Sequence, residues 1–293
     1  MPFHIGPHIS LERTLPETLS FFETEDKKFS PSCIQTFPGV SVSYNLRKFH
    51  IDSYIEAGEF LATNNKVWYV HAPYVINLAS QDEDILTRGR ACIQKILDNQ
   101  ALLYGSFGSS GVGSKGSKKV TGTVLHIGAK GPLSQVIREI NDLSISSHLH
   151  LENAAQPKKL GSTIEDLRLL KEGIDSNKVG FCWDTCHLHS SGTVDMRNPD
   201  AVIEFFEEMK DIGVKPHQGV IHLNDSKTAF KSGQDRHSVL GYGHIWNIER
   251  SFKPENMESL FALRDICKEE SYDIILETPS IDIEEFEIKI LKI

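Results

Sequence analysis

Gly219-Val-Ile-His222-Leu-Asn-Asp-Ser-Lys227, with Gln234-Asp-Arg-His237 close behind, is an apolar run that ends in chemistry. The run itself, 219–221, is short enough for a strand, and it delivers a histidine and then an aspartate. Neutral imidazole and carboxylate are the ligands that zinc and similar divalent metals prefer. Asp235 and His237 lie two apart, so an extended segment turns both side chains to one side. A single pair of this kind says little. The same pattern recurs where other apolar runs end, and the recurrence points to one architecture.

Strand-like runs fall at 3–8, 33–37, 67–71, 121–126, 145–152, 179–184, 219–222 and 274–277. Stretches of helical periodicity separate them, at 11–29, 46–64, 82–103, 132–143, 163–173, 199–212 and 256–270, and an amphipathic stretch at 281–291 closes the chain. Thr163 with Asp166 makes a capping-box-like helix start, and Pro132 and Pro199 suit the first turns of theirs. Eight strand–helix alternations in 293 residues predict an α/β fold, a single (β/α)₈ TIM-barrel domain over 1–293. His71, His126, Glu152, Asp184, His222 and Glu277 fall at the C-terminal ends of strands, where that fold places catalysis. A doubly wound open sheet would gather its ligands near one switch point instead.

The chain carries 31 Lys+Arg against 40 Asp+Glu, a net charge of -9. Taken alone, this argues against nucleic acid, since phosphate-binding proteins carry a basic balance. The distribution weakens the objection. No acidic residue lies between Asn99 and Arg138, whereas Lys115, Lys118, Lys119 and Lys130 do. Lys158, Lys159, Lys227, Lys231 and Arg236 add local positive charge, and bound cations would offset part of a carboxylate-rich site. No apolar run is long enough to span a bilayer, and the opening Met-Pro-Phe-His-Ile-Gly lacks a basic segment followed by an apolar one. The expectation is an intracellular, non-secreted monomer with no membrane partner, cytoplasm and nucleus not distinguished. Five cysteines form no CxxC pair and read as reduced thiols. The Gly/Ser-rich segment 105–119 predicts a flexible insertion at the N-terminal face of the barrel. It lacks the GxxxxGK pattern and follows no strand, so it is not a phosphate-binding loop.

Asp184-Thr-Cys-His187 places an Asp and a His three apart, able to converge over a tight turn after a strand. In His148-Leu-His150-Leu-Glu152 the histidines and the glutamate share one strand face, so a Glu152 at the barrel mouth puts the histidines deeper. A lone histidine at a strand end is more often a hydrogen-bonded structural residue than a ligand. Five histidines and four carboxylates at one rim are another matter: without metal they leave unpaired buried charge, at several kcal/mol per ion as an order of magnitude. The set implies a polynuclear metal site.

The pieces that carry a family resemblance are Gly6-Pro-His8-Ile-Ser10, His71-Ala-Pro-Tyr-Val-Ile-Asn77-Leu78, Leu125-His126-Ile-Gly128-Ala and Leu151-Glu152-Asn153-Ala. Phe181-Cys-Trp-Asp184-Thr-Cys-His187, Ile221-His222-Leu-Asn224-Asp225-Ser-Lys227, Asp235-Arg236-His237 with Leu240-Gly-Tyr-Gly243, and Ile275-Leu-Glu277-Thr278 complete them. Through these the chain resembles, over essentially its whole length, the endonuclease IV family of zinc-dependent apurinic/apyrimidinic endonucleases. The resemblance implies three zinc ions. His71 and His126 would hold the first, and Glu152 would bridge it to a second held by Asp184, His222 and Glu277. His187, Asp235 and His237 would hold the third. It further implies a DNA-repair hydrolase that cuts duplex DNA 5′ to an abasic site, leaving a 3′-hydroxyl and a 5′-deoxyribose phosphate, with Glu152 and Glu277 as catalytic carboxylates.

For DNA, the resemblance places Tyr74 and Val75 in the duplex at the lesion, on a DNA-facing loop that also carries Asn77, while Lys158, Lys159, Lys227 and Lys231, each in a loop after a strand that carries a ligand, are the expected phosphate contacts. Arg236, between two ligands, could pair with a phosphate or with a nearby carboxylate. One departure stands out. The family offers an arginine wedge after its second strand, but Thr36-Phe-Pro-Gly-Val-Ser-Val-Ser-Tyr-Asn45 contains none, and Arg47 and Lys48 come only afterwards. Two other readings remain open: a sugar isomerase with two divalent metals on a similar barrel, and a DNA-binding relative without activity.

Overall fold

The strands are built from residues that suit a surface buried on both sides. β1 (Ile5–Ser10), β2 (Cys33–Phe37), β3 (Val67–His71), β4 (Thr121–His126), β5 (His148–Glu152), β6 (Val179–Asp184) and β7 (Val220–Leu223) follow one another. A hairpin of β8 (Asp225–Ser226) with β9 (His237–Ser238) comes next, and β10 (Asp273–Leu276) is last. β3, Val-Trp-Tyr-Val-His, is buried at every position, since one face lines the barrel lumen and the other meets helices. The computed structural model describes residues 4–10, 15–20, 22, 31–37, 51–104, 119–215, 219–246 and 257–278. In it eight strands close in parallel into a barrel, β1 pairing with both β2 and β10. The (β/α)₈ barrel expected from the sequence is the fold.

Around it run α1 (Leu15–Ser20), α2 (Ile51–Thr63), α3 (Glu83–Leu102), α4 (Leu133–Asn141), α5 (Ile164–Gly173), α6 (Thr185–Ser191), α7 (Pro199–Asp211) and α8 (Glu258–Glu270). Their starts follow from capping chemistry. Asp82 accepts from the amides of Asp84 and Ile85 ahead of α3, and Asn198 accepts from that of Asp200 ahead of α7, whose first residue is Pro199. Thr163 Oγ1 accepts from Asp166 N at 3.1 Å. Asp166 Oδ2, too short a carboxylate for the reciprocal bond, turns to Gly161 N at 3.1 Å instead. Pro132 sits one place earlier than expected, at the N-cap of α4.

Periodicity alone missed α6 and the β8–β9 hairpin, both packed into loops at the C-terminal rim. β5 starts at His148, not at 145. Of the expected helices 11–29 and 46–64, the described parts are Leu15–Ser20 and Ile51–Thr63. Residues 105–118, 38–50 and 281–291 lie outside the described residues. Among the described residues no helix is long and apolar enough to cross a membrane.

Strand alternation gives the lumen its layers. Cys33, Val67, Tyr69, Val124, Cys182, Val220 and Ile275 form one buried cluster inside the barrel. Two residues further along the same strand faces stand Gln35, His71, His126, Asp184, His222 and Glu277. The site is the core continued upward with a change of chemistry. His150, two residues below Glu152, is fully buried, and Gly122 makes room for it: a Cβ there would lie 2.6 Å from its Nε2. At the opposite end Asp273 Oδ1 accepts from His4 Nδ1 at 2.7 Å and from His4 N at 3.0 Å. Its Oδ2 accepts from the Tyr69 hydroxyl and lies 3.4 Å from Lys119 Nζ, which ties the closing seam of the barrel together.

Candidate metal centre

Parallel register brings the ligand candidates level. His126 of β4 is the direct partner of Glu152 of β5, and Asp184 of β6 is the partner of His222 of β7. Among the described residues three convergent sets consist of histidines and carboxylates alone, each with one potential ligand atom per residue and all such atoms within 4.8 Å of one another. They are His71–His126–Glu152, Glu152–Asp184–His222–Glu277 and His187–Asp235–His237. Glu152 belongs to two of them. Its Oε2 stands 3.1 Å from His71 Nε2 and 3.4 Å from His126 Nε2, and its Oε1 stands 3.1 Å from His222 Nδ1. All nine residues named from the sequence are brought to one rim.

The route taken by Asp184 and His187 differs from the expected tight turn. Asp184 is the N-cap of α6, and its Oδ1 accepts from His187 N at 2.8 Å. The helix start thus fixes the spacing of the two. Asp184 Oδ2 also accepts from Asn224 Nδ2 at 2.9 Å, and Asn153 Oδ1 accepts from Asp184 N at 2.7 Å. His237 reaches the site from β9, where Lys227 N donates to Arg236 O at 2.8 Å across the hairpin.

Each well-held histidine donates from one ring nitrogen and leaves the other for the centre. Carbonyl oxygens only accept, so Nδ1 carries the proton in His71, His187 and His237. These donate to the carbonyls of Ala72 at 2.7 Å, Asn153 at 2.9 Å and Glu277 at 3.1 Å. In His222 the roles are exchanged: Nε2 meets Gln35 Oε1 at 2.9 Å and Nδ1 turns inward. Outer partners of this kind fix tautomer and orientation in metal-ligating histidines. The Nε2 atoms of His126, His187 and His237 are buried with no hydrogen-bond partner among the described residues. Buried ring nitrogens aimed among carboxylate oxygens fit divalent cations of the zinc type.

Charge supports the same conclusion. Burial drives His126 down to about 4, so its ring is neutral. At His222 burial pushes the same way, but the carboxylates of Glu277 and Glu152 outweigh it and raise the ring to about 9. At His237 burial is outweighed by Asp184, Asp235 and Glu277, which raise it to about 10; His187 is raised for the same reason. Against burial, the surrounding rings hold Glu152, Asp235 and Glu277 below the usual carboxylate range. Asp184 is raised by burial, with Glu152 and Glu277 beside it. Cys182 and Cys186 come near these groups, but burial and the same carboxylates push both up and keep them thiols.

Tyr74 and Val75 stand at the rim, 54% and 47% exposed. The Tyr74 ring lies 5.1 Å from that of His71, 5.1 Å from that of His126 and 4.9 Å from that of Phe37. Asn77 is used inside the protein: its Oδ1 accepts from Ala79 N at 3.2 Å and Ala129 N at 3.3 Å, joining two rim loops. Lys159, half-buried, lines a cavity of about 170 Å³ with Tyr74, Asn77, His126, Glu152 and Asp235. Lys158, Lys227, Lys231 and Arg236 are exposed, and among the described residues none makes an ion pair. The sequence reading gave no role to His8, Gln35, Asn153 or Asn224. Asn153 and Asn224 carry a signal, since each directly follows a ligand-bearing strand, whereas Gln35 inside β2 carries none.

Residues 37–254 match the family model described as xylose isomerase-like TIM barrel, designated AP endonuclease 2. The chain is 33% identical over 221 residues, 73% of its own length, to a probable endonuclease 4 of Mycoplasmoides gallisepticum. It is 27% identical over 285 residues to one of Haloarcula marismortui, covering 94% of this chain and 92% of the relative. Over several bacterial relatives the chain spans 57% to 65% of their length. Endonuclease IV from Thermus thermophilus superposes with a TM-score of 0.67 at 21% identity, over 99% of this chain and 97% of that one.

Proposed function

The chain belongs to the AP endonuclease 2 family of xylose isomerase-like TIM barrels, and from that premise we propose that it is a zinc-dependent nuclease that cuts duplex DNA 5′ to an abasic site. The observation that carries this is the meeting of nine ligand-type side chains in three sets, two of them joined through the two oxygens of Glu152. Three zinc ions per chain are proposed, one in each set. Zinc held by those residues would supply a lowered pKa for water, toward ~7, and positive charge for a phosphoryl displacement.

The chain's own residues do the rest. Glu152 and Glu277 supply buried negative charge that balances cations and fixes where a phosphodiester can sit. Tyr74 and Val75 enter the duplex at the lesion as apolar wedges and fill the space of the missing base. Lys159 lies where a phosphate of the held strand would pass, with Lys158, Lys227 and Arg236 further out. Arg236, free of a described carboxylate, is assigned to phosphate. A sugar isomerase with two metals has no use for His187, Asp235 and His237, and a binding module has no use for buried ligands.

Purified protein incubated with a duplex carrying one abasic site tests the reading. The expected products are a 3′-hydroxyl and a 5′-deoxyribose phosphate, formed with zinc and lost on chelation. A 3′-unsaturated aldehyde as main product would show a lyase and overturn it.

A further inference from the structure

β3, β4, β5, β6, β7 and β10 each carry a ligand candidate at or just beyond their ends, whereas β1 and β2 carry none. Those two strands instead put His8 and Gln35 beside Glu277. His8 Nδ1 lies 2.9 Å from Glu277 Oε1, and Gln35 Nε2 lies 2.7 Å from the same oxygen. Gln35 is fully buried. An ionised carboxylate only accepts, so the Gln35 amide nitrogen must be the donor there. The amide oxygen is then fixed as the atom facing His222, where it accepts from Nε2–H at 2.9 Å. One side chain therefore makes two directed hydrogen bonds to two members of a single set. That leaves Nδ1 as the His222 nitrogen facing the set, 3.4 Å from Glu277 Oε2 and 3.1 Å from Glu152 Oε1. Glu277 is left with Oε2 free of Gln35 and His8.

We propose that Gln35 is a positioning residue of the metal centre, locking the Nε2–H tautomer of His222 and turning Glu277 so that Oε2 serves the shared set. The role rests on the metal-centre reading above. It is distinct from the ligand roles, because the amide nitrogen and oxygen of Gln35 are both taken up, by Glu277 and by His222.

Gln35→Met keeps length and volume and removes both hydrogen bonds. Thr36→Val, on the next residue of β2, removes the acceptor of Trp68 Nε1 on the outer face and serves as the structural control. Zinc is counted per folded chain and its affinity measured by chelator competition, and ring-nitrogen NMR of the zinc-loaded protein reports the tautomer of His222. The expected result is a roughly 10–100-fold weaker affinity for one zinc ion in Gln35→Met, with loss of the protonated-Nε2 signature. Thr36→Val should lower the melting temperature and leave zinc unchanged. Wild-type affinity and an intact His222 signature in Gln35→Met overturn the role while the metal-centre reading stands. Equal weakening in both variants reduces Gln35 to a structural residue and likewise overturns it. A wild-type chain that takes up no zinc overturns the metal-centre reading and this role with it.

Discussion

The two oxygens of Glu152 answer to different neighbours, Oε2 to His71 and His126 and Oε1 to His222. Glu152→Gln preserves shape, removes the charge that balances two cation sites at once, and puts an amide donor among ring nitrogens. Activity on abasic duplex should fall by a factor on the order of 10³ or more, as for loss of an essential electrostatic group. Near-normal turnover with full zinc would remove Glu152 from its shared position. A second residue-level outcome concerns pH. His187 is raised, and His222 and His237 stand at about 9 and about 10, so in the metal-free chain zinc must displace protons from these rings. Affinity should therefore climb with pH toward that range, and calorimetry in buffers of different ionisation heat should show net proton release. The sign for folding is opposite. Folded pKa values above the unfolded ~6.5 stabilise the metal-free protein fully below that pH, and this contribution is lost as pH rises through about 9–10. Zinc affinity unchanged between mildly acidic and mildly basic solution would contradict both statements.

Elements show why some of this was legible in the sequence and some was not. Strands buried on two faces read as apolar runs, so all eight staves and the polar residues at their C-terminal ends could be named from pattern. α6 could not: its seven residues, Thr-Cys-His-Leu-His-Ser-Ser, are too short for periodicity and too polar to look buried, yet a side-chain cap at Asp184 sets it. Gln35 was hidden differently, since one glutamine inside a strand announces neither its face nor its partners until the barrel closes. The β3–α3 loop was legible only through resemblance, and it yields a direct test. Tyr74→Ala with Val75→Ala should weaken binding to abasic duplex far more than to intact duplex; equal losses would mean that both side chains only pack the rim. The seam between β1 and β10 yields another. Burial would raise Asp273, but Lys119, His4 and Tyr69 hold it below the usual carboxylate range. Asp273→Asn should cost on the order of 3 kcal/mol at neutral pH, measured by denaturant unfolding. A depressed folded pKa makes that contribution full above the unfolded ~3.9 and lost as pH falls below it, so the two proteins should converge in acid.

At the scale of the whole molecule, the net charge of -9 and a DNA substrate are compatible only if the two faces of the barrel differ. The C-terminal face holds the acidic centre, whose charge bound cations would offset, and presents Lys158, Lys159, Lys227 and Arg236 around it. The lysines of the Gly/Ser-rich segment belong to a connection from α3 to β4, whose flanks, Tyr104 and Lys119, lie at the N-terminal face. DNA held at the metal centre should therefore feel the first group and not the second. Each true phosphate contact adds roughly 0.9 to the slope of log affinity against log salt. Lys158→Ala with Lys159→Ala should make that slope shallower on abasic duplex by up to about twice this amount. Deletion of residues 106–118 should leave it as it was. A slope that responds to the deletion and not to the paired substitution would move the path of the DNA to the other face of the barrel, away from the centre that is proposed to cut it.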